Sequence, residues 1–587
     1  MNSPAEIASK IALKELFATI DQKKCFRFEA GAGAGKTFSL IKALKYLIAK
    51  ELVNLSKNNQ QIACITYTNV AVDEINSRID NNPIVFAGTI HSFCWSLIQG
   101  LQKQMRDFIP TISDKWKSRI DEIGGIKQHF VKYDLGYPKA TQYEITLHHD
   151  DVIKIITHFL NKEKFKSILL SRFPIILIDE YQDTNKDFAK SIVDNIIEKD
   201  NRFLIGLFGD HWQKIYGSAA CGLITASYGK IVEIGKNSNF RSDKIIVEAL
   251  NRMRPKLPQK EVDPNSQGEI TIFHTNTWNG LRRTENHWQG DLPANEAHQF
   301  LEKVKFELEQ KGWSFKPDTT KILMLTNNVL AAEQGYATIA TLFSGNSDEY
   351  LKKENHYISF LIDYVEPTCT FYCKKQYGEM FKAIGLGTIK MKKHTDKSLW
   401  NVNLNELSKI RESGTIGEVI DYLKTSKRPR LSIKVEEAEN RLAQFSLLTD
   451  AEEIIKEKNF YNKISSLRSI LYSELVALSA YLDDKTPFST KHGVKGAQFE
   501  NVLVVCGRGW NNYNWNDFLE WSKLGIPKGK EDAFERNRNL FYVSCSRPKK
   551  KLALVFTQKL SINAIQTLEL WFGKEKISNL VLGTDEK

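Results

Sequence analysis

"FEAGAGAGKTFSL", residues 28 to 40, alternates glycine and alanine directly in front of a lysine and a threonine. The residues before it alternate as a strand does ("KCFRFEA", 24 to 30). Phe38 to Leu52 then carries Leu40, Ile41, Leu44, Leu47 and Ile48 at the spacing of a helix with one face on a sheet. A loop between strand and helix, stripped of side chains, suits a polyphosphate, because several backbone N–H groups can turn inward unobstructed. Ala30, Gly31, Ala32, Gly33, Ala34 and Gly35 supply that backbone. Lys36 adds charge for the outer phosphates, and the Thr37 hydroxyl can ligate Mg²⁺. The strict pattern has glycine six residues before the lysine, where this chain has Ala30.

Working outward, "QIACITYT" (61 to 68), "FPIILIDE" (173 to 180) and "RFLIGLFGD" (202 to 210) read as further buried strands separated by helical stretches. Strands alternating with helices predict an α/β fold with a parallel sheet. A second set, "EITIFH" (269 to 274), "KILMLT" (321 to 326), "NVLVVC" (501 to 506) and "KLALVF" (551 to 556), predicts a second core of the same kind. Two stretches of helical periodicity and charge fit neither sheet. The expected organisation is a first core from 1–93 and 167–240 with a mainly helical insertion at 94–166. A second core follows from 241–345 and 483–587, with an insertion at 346–482.

A nucleotide site also needs carboxylates at the end of a neighbouring strand. "IILIDEYQDTN" supplies Asp179 to hold Mg²⁺ and Glu180 to polarise an attacking water. The 587 residues and 42% hydrophobic content are enough for several cores, and the net charge of +12 favours an anionic partner such as nucleic acid. Eight scattered cysteines fit a reducing compartment rather than a disulfide scaffold. The N-terminus has no signal pattern and no apolar run reaches membrane-spanning length, so a cytoplasmic protein with no membrane partner is expected.

Six segments, "AGAGAGKT", "DEYQDT", "GDHWQKIYG", "NFRS", "TKHGVKGAQFENVLVV" and "RNLFYVSCSRPKKKL", occur in the order found in the UvrD/Rep-like superfamily 1 DNA helicases. This resemblance spans residues 28 to 556 and implies two RecA-like cores closing on ATP and Mg²⁺. It implies that Gln213 senses the γ-phosphate and that Arg241 and Arg547 reach it from the other side of the cleft. It implies base stacking by Phe240, and nucleotide contacts by Gly496 and Gln498. Thr66, Thr68, Asn69, Thr89, His91, Thr490 and His492 are implied to meet single-stranded DNA, contacts that position a strand without reading its sequence. "FKAIGLGTIKMKK" is similar to a hairpin with which family members grip duplex at a junction, through Gly385 and Gly387; plain turn glycines are an equal reading. Movement along single strands with 3′-to-5′ polarity follows from the resemblance, as does the class of ATP hydrolase and DNA helicase.

The chain also departs from the family. No adenine-reading glutamine segment precedes the loop, Phe38 stands where an arginine is common, and Gln498 replaces a glutamate. Tyr216-Gly217 is followed by Ser218 instead of a base-stacking tryptophan. "GRGWNNYNWNDFLEW" (507 to 521) offers replacement aromatics, although a loop pinned to the core explains them better. The sequence runs only to residue 587 after "KLALVF", which leaves no fused nuclease in view and points to a separate nuclease subunit. In this the chain resembles helicase subunits of bacterial antiphage defence systems such as Gabija. The competing expectation is a switch gated by ATP and DNA that activates a partner without processive unwinding.

Overall fold

The apolar runs become strands buried on both faces, and the pattern of near-continuous burial selects parallel pairing with helices above and below. The computed structural model describes residues 3–134, 138–215, 217, 219–385, 393–445, 451–507 and 512–581. Strands β1 (Phe26–Ala30), β2 (Ile62–Thr66) and β3 (Val85–Thr89) are followed by β4 (Phe130–Tyr133), β5 (Lys139–Ala140) and β6 (Glu144–Leu147), then by β7 (Ile175–Asp179), β8 (Leu204–Gly209) and β9 (Val232–Lys236). The first sheet has the order β3-β2-β7-β8-β1-β9, all parallel. The carboxyl ends of β7, β8 and β1 therefore lie side by side, at the edge where open α/β sheets bind ligands.

The second sheet uses β10 (Glu269–His274), β11 (Thr320–Met324), β12 (Phe488–Thr490), β13 (Phe499–Cys506), β14 (Pro548–Phe556) and β15 (Ile577–Asn579). Its order is β12-β11-β13-β14-β10-β15, again all parallel. The two sheets are the expected pair of α/β cores.

One face of the first sheet packs on the helices Pro4–Asp21 and Lys36–Lys57 around Phe26, Phe28, Leu40 and Leu44. The other face shares its core with the first insertion, where Ile176 and Ile178 meet Phe93, Trp116, Val131 and Phe159 in one cluster. The helices Ile90–Ile98 and Glu163–Arg172 run through the expected junctions at 94 and 166, so core and insertion share whole helices. The insertion also carries the small sheet β4-β6-β5, whose strands of two to four residues are too short to register as an alternating pattern. The second insertion consists of helices among the described residues, up to Tyr472–Leu482, and packs on the second core, where its Leu361 and Leu475 share a buried cluster with Tyr336, Phe343 and the strand residues Ile322 and Leu503. The two cores touch directly: Ala32 of the glycine loop joins Ile246, Leu323 and Tyr542 in one buried cluster. No described helix is long and apolar enough to cross a membrane.

Candidate nucleotide and DNA sites

The glycine loop leaves β1 and enters the helix at Lys36, with Gly33 at φ +74 and Gly35 at φ +73. At Gly33 a side chain would also meet Asn239 Oδ1 at 2.7 Å, so the position needs glycine for both backbone and space. The loop is held from outside. Asn239 Nδ2 donates to the Ala32 carbonyl at 3.2 Å, and the Phe240 N–H to the Gly33 carbonyl at 2.8 Å.

Lys36 pairs with Glu180, which also accepts from Gln182 Nε2 at 2.6 Å. Burial works against ionisation of Glu180, but Lys36 and Lys495 outweigh it and hold its carboxyl well below the usual range. Its backbone sits in the left-handed region at φ +50, a conformation that costs about 1–3 kcal/mol for a non-glycine residue and concentrates at functional sites. Asp179 experiences the reverse: burial, then the neighbouring Glu180 charge, push it up. Asp179 Oδ1 is buried with no hydrogen-bond partner, an unsatisfied acceptor suited to a cation. Together with the half-buried Thr37 at the start of the helix, it fits Mg²⁺.

Across the cleft, Arg547 is fully buried among neutral acceptors. Its Nε donates to Val543 O at 2.9 Å, and its Nη groups to Ala497 O at 3.3 Å, Ser546 Oγ at 2.9 Å and Gln213 Oε1 at 3.5 Å. Burial, then the adjacent Arg241, lower it to about 9. An interior guanidinium with no carboxylate partner among the described residues is poised for an incoming anion. Arg241 donates to Ser546 O at 2.7 Å and Gln498 Oε1 at 3.4 Å, which places Gln498 beside the arginine pair. Gln213 is itself held by Asp210, Nε2 to Oδ2 at 2.8 Å. Gly496 has φ +83.

Two exposed rings flank the loop. Phe38 and Phe240 each lie 5.6 Å from the buried ammonium of Lys236, which donates to Gly35 O at 3.0 Å and Ser39 Oγ at 2.8 Å. Burial lowers Lys236 to about 8. Lys236 gave no motif signal, and neither did a buried network behind the site. Arg254 binds Asp210 at 2.6 Å and Glu29 at 3.5 Å, and Glu29 also meets Arg27 and His211. Glu29, Asp210 and His211 are close enough to hold a metal, but the two arginines already neutralise them. The guanidinium groups of Arg254 and Arg538 both lie over the Trp212 ring, 5.1 and 4.3 Å from its centre, with Tyr542 edge-on at 5.4 Å. A second ion pair, Lys495 to Asp183, bridges the cores directly.

Of the expected DNA contacts, Thr68, Asn69, Thr89 and His91 lie at helix starts. Thr68 caps the helix Asn69–Arg78 and Thr89 the helix Ile90–Ile98, leaving first-turn N–H groups available to phosphates. Thr68 and Asn69 are exposed, whereas Thr66 is 3% exposed at the end of β2, so it supports the lip from below. Thr490 and His492 line a cavity of about 1180 Å³ between the cores, together with Lys186 and Lys214 of the first core. Thr326, Asn327 and Asn328 line it too, and sequence reading missed them. Thr326 caps the helix Asn327–Gln334 as Thr68 caps its own, so strand, threonine cap and asparagine recur in both cores. His492 Nε2 lies 3.1 Å from the Tyr513 hydroxyl. Tyr513 and Trp515 are buried, so that loop is anchored to the core by its aromatics. Gly385 has φ +72, and Gly387 lies outside the described residues.

Residues 14–219 match a protein family described as "AAA domain". The chain is 24% identical to "Gabija protein GajB" of Bacillus cereus (strain HuB5-5), over 93% of this chain and 95% of that protein. It is 23% identical to "Probable DNA helicase II homolog" of Mycoplasma genitalium, over 92% and 83% of the two chains. Identity to "ATP-dependent DNA helicase PcrA" of Staphylococcus aureus (strain Mu50 / ATCC 700699) is 25%, over 38% and 37%. The six ordered motifs, the paired parallel sheets and these similarities together support a UvrD-like helicase.

Proposed function

We propose that the chain is an ATP-driven motor that moves on single-stranded DNA with 3′-to-5′ polarity, together with a separate nuclease subunit in antiphage defence. The observation that carries the motor reading is Arg547, a buried guanidinium with no directly paired carboxylate among the described residues, facing Gln213 from the second core. ATP bound on the loop would take Lys36 away from Glu180 and present its γ-phosphate to Gln213, Arg241 and Arg547. Mg²⁺, held by Thr37 and Asp179, would neutralise phosphate charge. Glu180, ionised and freed from Lys36, would orient the attacking water. Arginines from the second core stabilise developing charge only when the cleft is closed, which links hydrolysis to core movement. That movement would shift Thr68 and Asn69 relative to Thr490 and His492. The defence role and the nuclease partner rest on the similarity to a Gabija protein along nearly the whole chain.

The switch reading keeps one observation in its favour: the cores are joined by their own side chains, through Lys495 to Asp183 and the arginine clasp on Trp212. Steady-state ATP hydrolysis with and without single-stranded DNA, wild type beside Glu180→Gln, separates the two. DNA stimulation that disappears in the variant supports the motor. Slow turnover indifferent to DNA refutes it in favour of the switch.

A further inference from the structure

Lys236 lies inside the nucleotide site, yet the hydrolysis steps make no use of it. It ends β9, the edge strand beside β1, and its backbone pairs with Ala30 where the glycine loop begins. From there the side chain reaches the first turn of the helix Lys36–Lys57, where Nζ donates to Gly35 O at 3.0 Å and to Ser39 Oγ at 2.8 Å. Ser39 Oγ in turn donates to Gly35 O at 3.3 Å, so ammonium and hydroxyl share one carbonyl. A Cβ added to Gly35, directly before Lys36, would lie 3.5 Å from Nζ. The rings of Phe38 and Phe240 each stand 5.6 Å away. Lys236 is 0% exposed, and among the described residues no carboxylate pairs with it and no acceptor takes its third N–H. The acids of the two paired strands, Glu29 and Glu233, are both held by Arg27.

An ammonium surrounded by a carbonyl, a hydroxyl and two rings is buried charge without compensation, a costly state unless an anion arrives. We infer that Lys236 is an affinity-setting residue of the nucleotide site, a buried cation whose counter-charge is the phosphate chain of the bound nucleotide. Gly35 and Lys36 belong to the loop that would cradle that chain, so phosphate on the loop brings negative charge to the side of the site where Lys236 is tied. The other nearby cations differ in kind. Lys42 is exposed and lies over the Phe38 ring at 5.4 Å, Lys36 is paired with Glu180, and Arg241 donates to Ser546 O. Burial lowers Lys236 to about 8, so in the empty site it is part neutral near pH 8, and polyphosphate would draw the proton back. Its task is binding and not chemistry, because no described hydrogen bond joins it to Glu180, Gln213 or Arg547.

The inference rests on nucleotide binding by the glycine loop, and the test separates the two. Isothermal titration of the full-length protein with Mg²⁺ and adenylyl-imidodiphosphate, which is not hydrolysed, gives the affinity. Repeating it in buffers of different ionisation enthalpy gives the protons taken up. Lys236→Met should bind about tenfold more weakly at pH 7. Its unfolding midpoint in urea should equal or exceed that of wild type, since no buried charge remains to desolvate. Tenfold coupling raises a group near 8 to about 9, so at pH 8 wild type should take up about 0.4 of a proton more than the variant, a difference that vanishes at pH 6.5. Only the protonated lysine attracts phosphate, so the affinity gap should narrow as pH rises beyond 8. Wild type that does not bind the analogue overturns the nucleotide reading itself. Wild type that binds, beside a variant that matches its affinity, loses affinity together with stability, or takes up as many protons, overturns the role of Lys236 alone.

Discussion

Arg254 and Arg547 are 4% and 0% exposed, yet their replacement by methionine should have opposite effects. Methionine keeps much of the aliphatic stem and removes the charge. At Arg254 this strands Asp210, itself 0% exposed, and takes one partner from Glu29. Breaking a buried ion pair from one side costs about 3–5 kcal/mol, so Arg254→Met should lose stability of that order. Arg547 hydrogen-bonds only to carbonyls, a hydroxyl and a carboxamide, while Glu180 and Asp210 act on it without direct contact, so Arg547→Met takes no directly paired carboxylate's partner away. Its stability should hold or rise, because the fold no longer desolvates an uncompensated cation. Turnover should fall by about 10²–10³, the loss for one preorganised donor, equivalent to about 2.7–4 kcal/mol of transition-state stabilisation. KM for ATP should change less than kcat, since the contact strengthens as charge develops. Urea unfolding followed by circular dichroism, and ATP hydrolysis at saturating DNA, measure the two quantities on the same preparations. An Arg547→Met protein that loses more than about 2 kcal/mol of stability, beyond an ordinary substitution, refutes the reasoning. So does one whose kcat stays within about threefold of wild type.

Trp212→Ala should remove two cation–π contacts of about 1–2 kcal/mol each and lower DNA-stimulated hydrolysis by about tenfold, while hydrolysis without DNA stays near wild type; parallel ATPase assays check this. Phe240→Ala should raise KM for ATP by about tenfold through lost stacking. No adenine-reading glutamine segment precedes the glycine loop, so kcat/KM for GTP should lie within about tenfold of that for ATP in competition assays. Burial, then His149, lowers His91 to about 4, and burial, then Lys491, lowers His492 to about 4. Both protonate more readily unfolded, so stability is full above about pH 6.5 and falls as pH drops toward 4, by about 2 kcal/mol for each at pH 5. Urea midpoints at pH 7.5 and 5.0 should differ less in a His91→Gln, His492→Gln protein.

The glycine loop and the "DE" pair were legible because their chemistry is local: strand, turn and helix follow within a dozen residues. The long buried strands were legible for the same reason. The edge strands β3, β9, β12 and β15 were not, since three to five partly exposed residues give no distinct pattern. Arg254 was invisible because its partners Asp210 and Glu29 lie 44 and 225 residues away. Trp212 did carry a hint, a bulky ring in a turn between an acid and a glutamine, but its role depends on arginines brought in by the second core. Thr326-Asn327 repeats the signature of Thr68-Asn69, a cap directly after an apolar strand, and could have been found by reading the second core with the grammar of the first.

That repetition bears on how direction would arise in the proposed motor. A strand passed from Thr68 and Asn69 to Thr326 and Asn327 exchanges one hydroxyl, carboxamide and set of helix N–H groups for a near copy. Handover between equal grips is close to thermoneutral, so neither core is a ratchet by its own chemistry. In the proposed motor the bias would come from the cleft, where Arg241 and Arg547 sit on one side only. In the absence of nucleotide the DNA should slide both ways with equal ease.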